Sequence, residues 1–211
     1  MFLLSLPEKR VIFIIVIIIA TLLVVFLYVL PFIIRYNDHK NFKKQVYKNL
    51  YNLAMEKDYY LINNLPLVSE NNLVAKLDHI IFSNKYIYVI ADKTYEDILS
   101  GKKEDNVWLS YSYSGDKKEI NNPILLNEIR CDKFATIKKI NRNYIISIVV
   151  VNNLAKINDI DSLNKSSSYI CHKKDLRNVI KNIEKREVSE FNLDNLDREV
   201  KEIAKDIYSR N

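Results

Sequence analysis

Glycine is nearly missing from this chain: Gly101 and Gly115 are the only two in 211 residues. Each stands alone as a turn residue. No glycine-rich loop therefore exists to cradle a nucleotide phosphate, which excludes the P-loop and dinucleotide-binding classes. Cysteine is equally scarce. Cys131 and Cys171 form no C-x-x-C pair, and Cys171–His172, with His79 and His39 elsewhere, is too sparse for a zinc site. Two free, reduced, structural thiols suit a cytosolic domain. No internal repeat or low-complexity linker interrupts the chain. The scarcity of glycine beside many Lys, Asn and Ile is the composition of an AT-rich bacterial coding sequence.

What is abundant is apolar residue in one block. Val11–Ile34 runs for 24 residues without a charge and is dominated by Ile, Val, Leu and Phe. As a helix it spans about 36 Å, enough to cross a hydrocarbon core of roughly 30 Å with some tilt. A cleaved signal peptide has a shorter core and ends at small residues. This run ends PFIIRYND, with no small-x-small site and no nearby cysteine for lipid attachment. An uncleaved single-pass anchor in the cell membrane is the expectation, with Pro31 tolerated near its end. Lys9 and Arg10 precede the run, whereas Arg35, Lys40, Lys43, Lys44 and Lys48 follow it. The positive-inside rule then puts the C-terminal domain in the cytoplasm.

The net charge of +6 is unevenly placed. Residues 35–50 contribute +4, while residues 51–172 hold 15 basic and 15 acidic side chains. A basic collar beside the anchor reads as contact with anionic lipid head groups. A dedicated nucleic-acid groove more often shows a basic face in the domain itself. The organisation expected is a tail over 1–10, a transmembrane helix over 11–34, a basic juxtamembrane helix over 35–50, and an α/β domain over 51–211 closed by two helices.

Within that domain the patterning predicts strands at Tyr59–Asn63, Leu77–Phe82, Tyr86–Ala91, Val107–Ser112, Tyr144–Val151 and Tyr169–Cys171. Lys93–Asn106 reads as a charged loop, and Trp108 as a core anchor. Asn122 is a good N-cap and Pro123 a good first helical residue. They open a helix to about Ile140 that is expected to bury Leu126, Ile129 and Ile137. The unbroken β-branched run Tyr144–Val151 suits a strand covered on both faces. Leu193, Leu196, Val200, Ile203 and Ile207 form the inner stripe of the last helix, expected to pack on the same domain.

The segment Leu77–Lys93, LDHIIFSNKYIYVIADK, carries the chemistry. Two apolar strands joined by Ser83, Asn84 and Lys85 hold Asp78 in the first and run into Asp92 and Lys93 at the end of the second. Read without any relative for comparison, this is a solvated hairpin rim. With LDHIIF, YIYVIADK, Trp108 in VWLSY, and Asn122, Pro123 and Asn127 in NNPILLN, the order of elements resembles the nuclease-related domain family over Phe42–Tyr208. That resemblance implies a mixed sheet flanked by helices, of the restriction-endonuclease type with a PD-(D/E)XK site. It implies Asp78 and Lys93 as the catalytic pair, Asp78 as the Mg²⁺ ligand, and DNA or RNA as partner beside the lipid bilayer.

The chain also departs from the family pattern. The Glu of E-x-K falls on Ala91, the acid of the first helix near Lys43, and the Gln after the Pro on Leu126. Asp92 should face away from Ala91 and Lys93, and serves as substitute acid only if a bulge re-aims it. Mg²⁺ wants several oxygen ligands, and Asp78 is the one matched carboxylate. Two functions stay open: a membrane-anchored nuclease or nucleic-acid-binding domain, with Mg²⁺ if active, and an inactive membrane-tethered scaffold or protein-binding module with no cofactor.

Overall fold

A computed structural model describes residues 8–70, 72–95, 98–112, 115–158, 164 and 167–208. The chain divides into two compact units, Met1–Lys40 and Asn41–Asn211. The described residues of the first are helical, belonging to α1 (Glu8–Lys57), with Pro31 inside the helix. Its apolar side chains, from Ile12 to Ile34, are exposed, and the helix is long and apolar enough to cross a membrane.

The second unit is a mixed α/β body with two mixed sheets. The larger has the order β1 (Tyr60–Ser69), β2 (Asn72–Phe82), β3 (Ile87–Lys93), β7 (Ile145–Val151) and β9 (Ser168–His172). Its first three strands run antiparallel as a meander, and β7 and β9 then add in parallel. Every residue of β7 is buried, as its β-branched run requires of a strand covered on both sides. The smaller sheet has the order β6 (Lys117–Asn121), β5 (Val107–Tyr111), β4 (Ile98–Ser100) and β8 (Lys156–Ile157). β4 lies inside the segment expected to be loop, and the charged β6 was not foreseen. Neither carries apolar alternation of its own, and each forms by pairing with β5.

Two helix layers cover the large sheet. On one face Phe42, Val46, Leu50 and Leu53 of α1, with Leu176, Ile180 and Ile183 of α3 (Leu176–Glu184), pack on Tyr88, Ile90, Ile146, Ile148 and Val150. On the other, Cys131, Phe134 and Ala135 of α2 (Pro123–Lys138) join Leu196, Val200 and Ile203 of α4 (Leu193–Tyr208) over Ile80, Phe82, Ile87 and Val89. The α4 stripe thus packs on the same unit, as expected at these three positions.

Trp108 is fully buried and anchors the small sheet against Val149, Val151 and Ile170. Gly101 makes this possible, because a Cβ there would lie 2.2 Å from the indole. Asn122 caps α2, accepting from the Ile124 and Leu125 amides, and its own amide donates to the Lys103 and Asp105 carbonyls. One side chain thereby ties the β4–β5 loop to the start of α2.

The inward face of α2 differs from expectation. Leu126 and Ile129 are 39% and 42% exposed. Asn127 turns inward instead, its amide donating to the Val89 carbonyl at 3.0 Å and to Ser147 Oγ at 2.8 Å. The inward face of α2 thus carries a polar side chain that satisfies buried strand groups, while Leu126 and Ile129 turn outward.

Candidate functional site

The β2–β3 ladder places adjacent residues on opposite faces. His79 pairs with Ile90 at the end of the β2–β3 ladder. Continuing that register would set Asp78 across from Ala91, and Lys93 lies two residues on, along the same face as Ala91. This is the face covered by α2. Asp78 Oδ2 lies 3.7 Å from the Arg130 guanidinium of α2. Both side chains keep about a quarter of their surface in solvent, at 22% and 27% exposure. Ala91 is buried and Lys93 half-buried.

On the α1 face stands a second polar group. Asp92 is buried, and its Oδ2 lies 3.4 Å from His79 Nε2. The exposed Lys43 ammonium of α1 approaches Asp92 Oδ1 to 3.6 Å. His79 Nδ1–H donates to Asn63 Oδ1 at 2.6 Å, across the β1–β2 pair. His79 Nε2 and Asp92 Oδ1 are buried and complete no hydrogen bond. Burial opposes ionisation of Asp92, but the His79 ring and the Lys43 ammonium outweigh it and hold the carboxyl below its ordinary range.

These positions answer the sequence expectations one by one. Asp78, Ala91 and Lys93 share the α2 face. Asp92 lies on the α1 face, and β3 keeps continuous register with β7 through Lys93, so no bulge turns it. Lys43, at the helix position matched to the family acid, meets Asp92 rather than Asp78.

The donor set does not suit the Mg²⁺ ion implied by the resemblance. The α2 face offers one carboxylate, a methyl group across from it, and a guanidinium already beside that carboxylate. Among the described residues no three His, Cys, Asp or Glu side chains come together. No catalytic step through a metal follows from this arrangement.

Sequence reasoning placed His79 in the LDHIIF element without a partner, and missed Asn63 and Arg130. The His79 partners were accessible from register: with His79 opposite Ile90, Asp92 is its diagonal neighbour on the same face, and Asn63 sits directly across in β1. Arg130 carried no signal, because its contact depends on how α2 docks.

Other polar clusters are structural. Glu184 of α3 accepts from Ser83 Oγ at 2.7 Å and from the Tyr88 hydroxyl, while Lys85 donates to the Glu184 and Arg186 carbonyls. They bind the hairpin turn to α3. A cavity of about 600 Å³ between Tyr86, Glu128, Asp132, Arg142 and Arg186 has its charges largely consumed locally, Arg142 pairing with Asp132 at 2.6 Å and Glu128 with Lys103 at 3.3 Å.

Compared with known families, residues 39–152 match the family described as nuclease-related domain, over half of the chain. No curated protein and no solved structure matches the chain.

Proposed function

Since the chain belongs to the nuclease-related domain family, whose general fold is restriction-endonuclease-like, we propose that it is a membrane-anchored domain that binds nucleic acid and does not cut it by a metal-dependent route. One observation carries this reading: the Asp78 carboxylate faces the Arg130 guanidinium at 3.7 Å, and Ala91 stands where the resemblance puts the family's Glu. A lone carboxylate with a guanidinium beside it and no second oxygen donor is a poor ligand for a small divalent ion.

The anchor is the apolar part of α1, and its basic flank Arg35–Lys48 supports a cytoplasmic domain touching anionic head groups. Cys131 and Cys171 are both buried and cannot report this topology from outside. A cysteine introduced at exposed Tyr51 can. It should resist impermeant maleimide in intact cells and react after permeabilisation.

Cleavage is tested with the full chain on supercoiled DNA, single-stranded DNA and RNA with Mn²⁺. No cutting above the Asp78→Ala variant is expected. Cutting that disappears in Asp78→Ala would falsify the binding-only reading. The scaffold alternative draws on the electroneutral stretch 51–172. It gains if the full chain fails to bind any oligonucleotide.

A further inference from the structure

The same α2 face that fails as a metal site has the chemistry of an anion site. Lys93 is half-buried, and its ammonium has no carboxylate partner among the described residues. Arg130 supplies a second cation, only partly engaged by Asp78 at 3.7 Å, a separation too long for a close bidentate pair. Ala91 contributes no charge. Asp78 offsets one of the two cations, so the group of three carries a net single positive charge. Both Asp78 and Arg130 remain open to solvent. A phosphodiester would gain two cations here and need displace only one partly solvated pair, held at 3.7 Å.

We infer that Arg130 and Lys93 form a metal-independent phosphodiester-binding site on the α2 face, with the Arg130 guanidinium standing in for the divalent ion of an active relative. Asp78 in this arrangement competes with the ligand for Arg130. It restrains binding instead of supporting it. The inference rests on the nucleic-acid-binding reading above and specifies which side chains hold the backbone.

That role for Asp78 gives the test a sign. The full chain, in nanodiscs of zwitterionic lipid and with EDTA present, is titrated into a fluorescein-labelled oligothymidylate and followed by anisotropy. Wild type should bind. Arg130→Gln and Lys93→Gln should each weaken binding about tenfold, the loss of one charge-assisted contact. Each should also flatten the salt dependence by roughly 0.7 in log–log slope, one phosphate contact on a single strand. Asp78→Asn should tighten binding severalfold. Arg130→Lys, which keeps the charge, should recover part of the affinity and covers the case in which Arg130→Gln does not fold.

Binding that needs Mg²⁺ or Mn²⁺ and vanishes in Asp78→Asn overturns the inference in favour of a metal site. Binding in EDTA that neither cation variant alters overturns the site while leaving the nucleic-acid-binding reading intact. Absence of any binding by wild type overturns both.

Discussion

Asp78 and His79 are neighbours in one strand, yet they belong to two different kinds of site. On the α2 face, Asp78 and Arg130 are a partly solvated pair at 3.7 Å, open to exchange with a ligand. On the α1 face, His79 and Asp92 are buried together, with half-buried Asn63 on the far side of the His79 ring and the exposed Lys43 ammonium beside Asp92. The difference is one of solvent access more than of composition. An exposed charge pair gains little because water screens it, and loses little when broken. A buried one holds its partners hostage, because each is left desolvated and unpaired when the other goes. Asp78, Ala91 and Lys93 lie on the replaceable face, and the fold leans on the other.

The largest expected effect comes from breaking the α1 face. Asp92→Ala should lower unfolding free energy by about 3 kcal/mol, at the low end for a broken buried pair because Lys43 is solvated. Asp78→Ala should cost under about 1 kcal/mol. Denaturant titration of both variants decides it, and equal losses would erase the distinction between the faces.

Asn127→Ala probes whether the α2 layer has a part that is not replaceable. It strips hydrogen bonds from the Val89 carbonyl and Ser147 inside the core, and should cost about 2 kcal/mol. A loss below about 0.5 kcal/mol, the scale of an ordinary surface substitution, would mean that packing, not Asn127, orients α2.

Ala91→Glu sharpens the comparison from the chemical side. A carboxylate there would share a face with Lys93 and stand across from Asp78. Mn²⁺ affinity, read by electron paramagnetic resonance titration, should rise on the order of tenfold over wild type, and further with Arg130→Gln added. The same substitution pair at Asp92 and Lys43 should leave Mn²⁺ binding unchanged, since that group lies on the opposite face.

The smallest effect is a null result. Cys131 lies on the inner face of α2 and Cys171 in β9 beneath α1, and burial pushes both thiols up to about 12. A folded-state value raised this far means that thiolate does not accumulate between pH 7 and 9, where a free thiol begins to ionise. Iodoacetamide labelling of the native protein should therefore stay slow and nearly flat across that range, then reach both thiols on denaturation. In Asp92→Ala, Cys171 should label faster than Cys131, because the α1 face loosens first. Equal acceleration would show that the two layers open as one unit.

Much of this was legible in the residue order. The 24-residue apolar run sets a helix long enough to span a bilayer whatever else the chain does, because length and uninterrupted hydrophobicity suffice. The unbroken Ile145–Val151 run defines a strand buried on both sides, Asn122–Pro123 starts α2, and Asp92 follows strand alternation. These are short-range properties, written within a few residues. The tertiary structure decided what sequence spacing cannot carry. The inward face of α2 carries Asn127, reaching two buried strand groups, while Leu126 and Ile129 turn outward. β6 forms on the ladder that β5 offers, and β4 is held between β5 and β8. Arg130 meets Asp78, and Lys43 meets Asp92, across 52 and 49 residues of chain. Whether a lone carboxylate finds a metal or a guanidinium depends on which side chain the docked helix brings over it, and that is a property of packing.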